Sequence, residues 1–538
     1  MARRSVNPVG FIALALGAFA LQSGCAIGPR GADYPRPVTV ALAHPESTRL
    51  GSTFLDAASE RGQRSGFRLL PVGIDGLLAR EEMIDAAERT VDLQYYIFRG
   101  DETGRLLSAA VLRAADRGVR VRILVDDGET VSGDEQLFGL DGHPGVEIRI
   151  FNPFDYRGHL TLFRALDFLF HKSRLDYRMH NKLLVVDNAA ALVGGRNVAN
   201  EYFQVDPRLQ YADEEVFAVG PVVTKLSGTF DDFWNSGLAI PAKALEPRST
   251  TARARAVHGT HSWQNGPVGA PDVTGIDYTA RAEANEPFAG LVSGRLPLTW
   301  APAEVVADSP FKREVEAGAR RGRLMAPAVL ARFAAVQREL EMITPYFVPS
   351  RDELETLAAL RSREVRVRLL TTSLDASDDI VTQAAYERAR KPLLAQGVEI
   401  HELRAKLGDV RGSGEPERLA RFGHYSLHAK LFVFDDDALF IGSMNLDQRS
   451  KHLNTEIGLI ISSADLARQV AGRFDAMSGP EEAYAVTLQS REKGDRPEIV
   501  WTTQVEGRLV STTREPTRHP WRRFAARLLS WLPIRGEL

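Results

Sequence analysis

The sequence predicts an α/β fold made of two copies of one unit, and three observations carry that reading. Landmark segments recur at a nearly constant offset, strands alternate with helical stretches inside each copy, and each copy contains one His-x-Lys-x-x-x-x-Asp pattern.

The duplication is the most informative feature. VDLQYYIF at 91–98 is followed by VRVRIL at 119–124 and HNKLLVVD at 180–187; later, LEMITPYFVP at 340–349 is followed by VRVRLL at 365–370 and HAKLFVFD at 428–435. Tyr95 to Tyr346 is 251 residues, Val119 to Val365 is 246 and His180 to His428 is 248. Each copy reads as strand, helix, strand, excursion, strand. The 103–117 stretch carries apolar residues at helical spacing, whereas VRVRIL alternates with period two.

Domain boundaries follow from composition. The first lobe is placed at 61–244 and the second at 311–490. Residues 245–310 are assigned to an inter-lobe linker, because 245–294 is rich in Ala, Gly, Pro and Thr with little periodicity. Loops 152–178 and 403–426 precede the two histidine motifs and are expected near the site's mouth. A C-terminal extension occupies 491–538.

At the N-terminus, Arg3 and Arg4 precede an apolar stretch from Val9 to Leu21, the order of a secretory signal. That stretch is short for a membrane span. Cys25 is the only cysteine, so no intramolecular disulfide can form, and the run Leu21-Gln22-Ser23-Gly24-Cys25 resembles the lipobox of bacterial lipoproteins with Gln22 as a departure. The expectation is a signal peptide at 1–24, an acylated Cys25, a tether at 25–60, and a lipid-anchored protein of the bacterial cell envelope. Ala26, where an aspartate would resemble an inner-membrane retention signal, leans toward the outer membrane.

The 538 residues are 44% hydrophobic and 25% charged, which permits a large core. A formal charge of -3 lacks the broad positive field of a nonspecific nucleic-acid binder, so any anion site must be local.

In each motif, His and Lys stand two apart at the start of an apolar run and project from one face of a strand. His180, Lys182 and Asp187 match His428, Lys430 and Asp435, and these six are the expected catalytic residues. Gly194 with Gly442, Gly195 with Ser443, and Asn197 with Asn445 align at the same offset of 248. The chemistry these types suit is phosphodiester cleavage. One imidazole attacks phosphorus and the other protonates the departing alkoxide, while the two ammonium groups neutralise the non-bridging oxygens. Gly195, Asn197, Ser443 and Asn445 are expected to line the phosphate, with small residues admitting it and side chains donating to it. An acid such as Asp213, Glu215 or Glu456 is expected to hold each imidazole in one tautomer. No metal is expected: His159, His171, His424 and His452 lack ligand spacing, and the run Asp435-Asp436-Asp437 reads as a turn.

The paired motifs resemble the phospholipase D superfamily. QYYIF, RMHNKL, VGGRN, ITPYFVP and GSMNLDQRS together look like its bacterial cardiolipin synthase C branch, over about residue 60 to the C-terminus. The resemblance implies two fused lobes, each a mixed β-sheet flanked by helices, facing each other about a pseudo-two-fold with one shared active site. It also implies a phosphohistidine intermediate, no cofactor, and phospholipid substrates such as phosphatidylglycerol and phosphatidylethanolamine. It favours His180 as nucleophile and His428 as acid. Ala199-Asn200 follows Asn197 where Gly-Asp is expected. Transfer between phospholipids is the leading function. Hydrolysis to phosphatidic acid is the alternative, and a nuclease or a silent scaffold ranks below both. Oligomeric state is not fixed by the sequence.

Two segments bear on a membrane surface as partner. FRALDFLFHK at 163–172 is expected in the core, where aromatic clusters usually lie; the other reading is a membrane-touching lip. WRRFAARLLSWLPIRGEL places Trp521, Phe524, Leu528 and Leu532 on one helical stripe beside Arg522, Arg523 and Arg527. That helix suits either an anionic bilayer or docking on its own domain.

Overall fold

The computed structural model describes residues 33–128, 134–157, 161–206, 209–245, 297–405, 424–490, 497–517 and 519–530, with Gly31, Gly290, Gly294 and Arg295. Cys25 and its lipobox lie outside the described residues, as do His159, Leu532 and the linker stretch 246–289.

Two mixed sheets make up the chain. The first uses β1 (Ser65–Leu70), β2 (Thr90–Tyr95), β3 (Arg120–Asp126), β4 (Val146–Phe151), β5 (Leu183–Val186) and β6 (Ala190–Gly194). After β7 (Leu209–Ala212), which lies apart from it, the first sheet adds β8 (Glu215–Val219), β9 (Ala239–Pro241) and β10 (Thr299–Ala301). The second begins with β11 (Ala303–Ala307), β12 (Glu339–Ile343), β13 (Arg366–Thr372) and β14 (Glu399–Leu403). Beyond β15 (His424–Leu427), which also lies apart, come β16 (Leu431–Phe434), β17 (Ala438–Gly442) and β18 (Ile457–Ile461). Then β19 (Ala483–Gln489), β20 (Glu498–Val505) and β21 (Arg508–Thr512) complete it.

The strand orders are β10-β1-β8-β6-β5-β2-β3-β4-β9 and β11-β18-β17-β16-β12-β13-β14-β19-β20-β21. In each sheet three consecutive strands run parallel (β2, β3, β4 and β12, β13, β14) and their neighbours run antiparallel, so the run β1-β8-β6-β5-β2-β3-β4-β9 matches β11-β18-β17-β16-β12-β13-β14-β19, while β10, β20 and β21 are additions. The bridges Phe98 to Val198 and Phe347 to Leu446 put the first landmark at an offset of 249.

Apolar runs such as Leu-Leu-Val-Val in β5 are buried throughout, as strands covered on both faces must be. One core joins the lobes: Leu183, Val193 and Val216 from the first sheet pack in the same cluster as Leu431, Ile441 and Leu459 from the second. The outer faces are covered by helices, among them Glu102–Asp116, capped by Asp101, and Arg351–Ser362, opened by a Ser350–Glu353 capping box.

Three expected boundaries are corrected. The 245–310 linker contains β10 and β11 at its end, one strand for each sheet, so the chain passes between lobes at Pro302. The 491–538 extension supplies β20 and β21 to the second sheet. Residues of the 25–60 tether dock on the first lobe, with the Thr39 and Ala41 amides donating to Asn235 and Asp231.

Candidate active site

Both histidines lie where the lobes meet, and backbone register puts them there. Met179 forms a parallel bridge with Thr455, and β15 pairs in parallel with β7 so that Leu427 faces Ala212. One step further along each pairing, His180 comes beside Glu456 and His428 beside Asp213. The His180 and His428 amides complete these bridges, donating to Thr455 O at 2.9 Å and Ala212 O at 2.8 Å.

Each imidazole is therefore held by a carboxylate of the opposite lobe. His180 Nδ1 is 2.9 Å from Glu456 Oε2, and His428 Nδ1 is 2.6 Å from Asp213 Oδ2, with all four side chains buried. A carboxylate at Nδ1 fixes the Nδ1–H tautomer and leaves the Nε2 lone pair for chemistry. Aromatic rings pack against the other faces. Tyr96 meets His180 edge-on at 5.2 Å, and Tyr202 and Tyr211 each lie 5.1 Å from His428. The lysines stand beside their own histidines: Lys182 Nζ donates to His180 O at 2.6 Å, and Lys430 Nζ donates to His428 O.

The electrostatics of the two halves differ. Burial, with Lys182 and Lys430 close by, holds His180 well below the usual imidazole range, and burial with Lys430 brings His428 down to about 4. Burial likewise lowers Lys182 well below the ammonium range and Lys430 to about 8. Burial pushes Asp213 up, but His428, Lys430 and Arg196 outweigh it and leave this carboxyl below its ordinary value. Glu456 goes the other way, raised by burial to about 7 against Lys182 and Ser443. The surroundings thus favour the anion of Asp213 behind His428, whereas burial favours the neutral form of Glu456 behind His180. An arriving phosphodiester anion favours the charged lysines and an imidazolium.

Several expected site residues do other work. Asp187 and Asp435 are not at the site. Each sits in the left-handed region (φ 52° and 54°) at the far end of its strand. Asp187 accepts from the amides of Glu88, Arg89 and Thr90, and Asp435 from those of Gln337, Arg338 and Glu339. Each lies five positions along the chain from its lysine, roughly 16 Å at strand rise. Glu215 faces away from the histidines and forms a two-pronged pair with Arg80 (2.7 and 2.6 Å), with Arg196 at 3.3 Å.

Three of the residues expected to line the phosphate, Gly195, Ser443 and Asn197, also set the carboxylates and rings. A Cβ on Gly195 would lie 2.1 Å from Asp213 Oδ1, so glycine is what lets Asp213 approach. Ser443 Oγ donates to Glu456. Asn197 accepts from the Ile97 amide (3.2 Å) and donates to Tyr202 OH (2.8 Å), fixing the ring against His428. Asn445 is buried with Oδ1 lacking a partner. Asn200 accepts from the Thr103 amide at 3.0 Å and so braces a helix start.

Sequence reasoning missed the supporting groups. Tyr211 and Tyr346 donate to the two oxygens of Asp378 at 2.8 and 2.7 Å, bringing one carboxylate from a loop after β13 to the His428 side. Asp126 accepts from the Met179 amide at 2.8 Å. Asp308, paired with the buried Lys312 at 2.9 Å, accepts from the Glu456 amide at 3.0 Å. None carries a motif signal, because each acts through a partner distant in sequence. Among the described residues one trio of ligand-type side chains converges, Asp155, Asp167 and His171. Its donors are engaged with each other and with Arg174, as an ion-pair network.

The family model described as cardiolipin synthase, PLD-like domain, matches residues 81–234 and 329–478, one match per lobe. Cardiolipin synthase C of Escherichia coli (strain K12) is 35% identical over 90% of this chain and 99% of that protein. A cardiolipin synthase of Geobacillus sp. (strain WCH70) is 23% identical over 89% of this chain and 76% of its own. Among solved structures, phosphatidylserine synthase of Haemophilus influenzae Rd KW20 has the same fold, with a TM-score of 0.51 at 14% identity over 80% of this chain and 91% of that one. With two matched lobes, two paired imidazoles and near full-length likeness, the chain belongs to the cardiolipin synthase family of phospholipase D-like enzymes.

Proposed function

We propose that this enzyme is a phosphatidyltransferase that joins phospholipids through a phosphohistidine on His180. The observation that supports it most is the pair of cross-lobe histidine–carboxylate contacts, with two lysines beside them. The asymmetry of the two carboxylates suits the roles. Asp213, an anion at 2.6 Å, stabilises an imidazolium on His428, the acid. His180 stays neutral with Nε2 unprotonated, as a nucleophile requires.

In the first half-reaction His180 Nε2 attacks phosphorus of a phospholipid. The P–O bond to the head-group alcohol breaks, and His428 gives that alkoxide its proton. In the second, His428 takes the proton of an acceptor's hydroxyl, the new P–O bond forms, and the P–N bond to His180 breaks. Lys182 and Lys430 offset charge on the non-bridging oxygens throughout. Phosphatidylglycerol as acceptor yields cardiolipin, with phosphatidylglycerol or phosphatidylethanolamine as donor.

Labelled phosphatidylethanolamine and phosphatidylglycerol, supplied with and without chelator, test this through their products. Cardiolipin in excess over phosphatidic acid, unaffected by chelator, is expected. Dominant phosphatidic acid at saturating acceptor makes the enzyme a phospholipase, and loss with chelator contradicts a metal-free mechanism. The proposed place of action is the bacterial envelope, anchored through an acylated Cys25. Cys25→Ser is expected to abolish palmitate labelling, and absence of label in the unaltered chain would refute the anchor.

A further inference from the structure

Two helices are docked with an apolar stripe facing outward. In Thr161–Phe170, Asp167 is buried and hydrogen-bonded to His171 and the Tyr156 amide, while Arg164 donates to Asp127 O and Gly128 O. Its apolar residues point outward: Leu162, Phe163, Leu166, Leu169 and Phe170 are exposed, Leu169 by 68%. Core packing, the expected place for this segment, is thus overturned. Pro520–Ser530 repeats the arrangement. Arg522 donates to Ser377 O and Arg523 to Glu515 O, Ala526 and Leu529 pack inward, and Trp521, Phe524 (70% exposed) and Leu528 form an outward stripe. A surface helix of a water-soluble domain buries its apolar stripe, so two inverted helices mark a surface built for an apolar medium.

Their positions are related by the duplication. The first helix rests on the loop after β3, the second on the loop after β13, the equivalent strand of the other lobe. Each loop leads to one histidine. A Cβ on Gly128 would touch Tyr96 OH at 3.1 Å, and Tyr96 packs on His180; Asp378, next to Ser377, receives Tyr211 OH, and Tyr211 packs on His428. The helices therefore flank the site from opposite lobes. The second leaves Arg527 exposed beside its apolar stripe and carries no acidic residue, which complements anionic head groups.

We propose that the Thr161–Phe170 and Pro520–Ser530 helices are paired membrane-docking lips, whose outward apolar faces enter the interfacial layer of an anionic phospholipid bilayer and hold the site's mouth against it. The proposal rests on the phospholipid-substrate reading above. Lipid would then reach the histidines from the layer in which it already lies.

The test uses the full chain carrying Cys25→Ser, so that no acyl anchor contributes. Turnover is measured on phosphatidylglycerol vesicles and on dihexanoyl phosphatidylglycerol below its micelle concentration. In the variants Phe163→Ser/Leu169→Ser/Phe170→Ser and Trp521→Ser/Phe524→Ser/Leu528→Ser, vesicle turnover is expected to fall at least about tenfold, with monomer turnover unchanged. Equal turnover of variant and parent on vesicles overturns the docking proposal and leaves the phospholipid reading intact. No turnover of either lipid by the parent chain overturns the phospholipid reading itself. If a triple variant loses both activities, Leu169→Ser and Leu528→Ser decide by the same ratio. Lipid-free dimers of the parent that dissociate in the variants would assign these faces to a second copy and overturn the proposal.

Discussion

Asp213→Asn separates charge from shape at the His428 half-site. The Asp213 carboxylate is buried, with Oδ2 2.6 Å from His428 Nδ1 and Oδ1 accepting from the Glu214 amide at 2.7 Å. That amide keeps the asparagine oxygen on the Oδ1 side, so the NH2 group faces His428 and donates to Nδ1. The imidazole then carries its proton on Nε2, the tautomer that cannot accept a proton from an acceptor hydroxyl, and an imidazolium loses its counter-charge. The same change in a Ser-His-Asp triad costs about 10^4 in kcat, so a loss of roughly 10^3 to 10^4 is expected here, about 4 to 5.5 kcal/mol of barrier. Rapid-quench measurement with labelled phosphatidylglycerol should find both formation and resolution of the phosphoenzyme slowed. KM should stay close to the parent value, because Asp213 reaches the substrate only through His428. Activity within tenfold of the parent, or a loss confined to KM, would refute the reasoning.

Further changes separate chemistry from architecture. Glu215→Gln leaves Arg80 and Arg196 buried without their shared carboxylate, and unfolding free energy in urea should fall by about 3–5 kcal/mol while turnover per folded molecule changes little. Asp187→Ala removes the acceptor of three backbone amides, of which only that of Thr90 belongs to a buried residue, and should lower unfolding free energy in urea by about 1–3 kcal/mol, with a far smaller effect on kcat of the folded enzyme than Asp213→Asn. Lys430, held down to about 8, is an ammonium below that pH and neutral above it, so kcat/KM should decline as pH rises through about 8. Lys430→Arg should remove that inflection, since a guanidinium stays charged there.

How far the sequence reaches depends on the range of the interaction. The duplication, the α/β order and the two histidine–lysine pairs are local or periodic, and each pair stands in the extended segment just before its strand, β5 or β16. The partners of the histidines are not local. His180 and Glu456 are 276 residues apart, and only the inter-lobe bridge at Met179 and Thr455 joins them. By residue type alone Asp213 and Glu215 are equal candidates to hold an imidazole. Asp213 instead follows β7, in the pairing with the second lobe, while Glu215 opens β8 and turns to Arg80. Asp187 was grouped with His180 by motif, yet strand rise alone separates them. The outward apolar face at 161–170 was hidden because composition cannot distinguish a core aromatic from one that faces a bilayer.

Trapping the covalent intermediate shows directly whether His180 is the nucleophile. The chain is quenched in acid-free denaturant during turnover of phosphatidylglycerol labelled in its phosphate, digested, and mapped by mass spectrometry, with a parallel chase by unlabelled phosphatidylglycerol. The phosphatidyl group is expected on His180, absent in His180→Ala, slower to appear in His428→Ala, and chased into cardiolipin. Label on any other side chain, or a covalent adduct that persists in His180→Ala, would contradict His180 as the nucleophile.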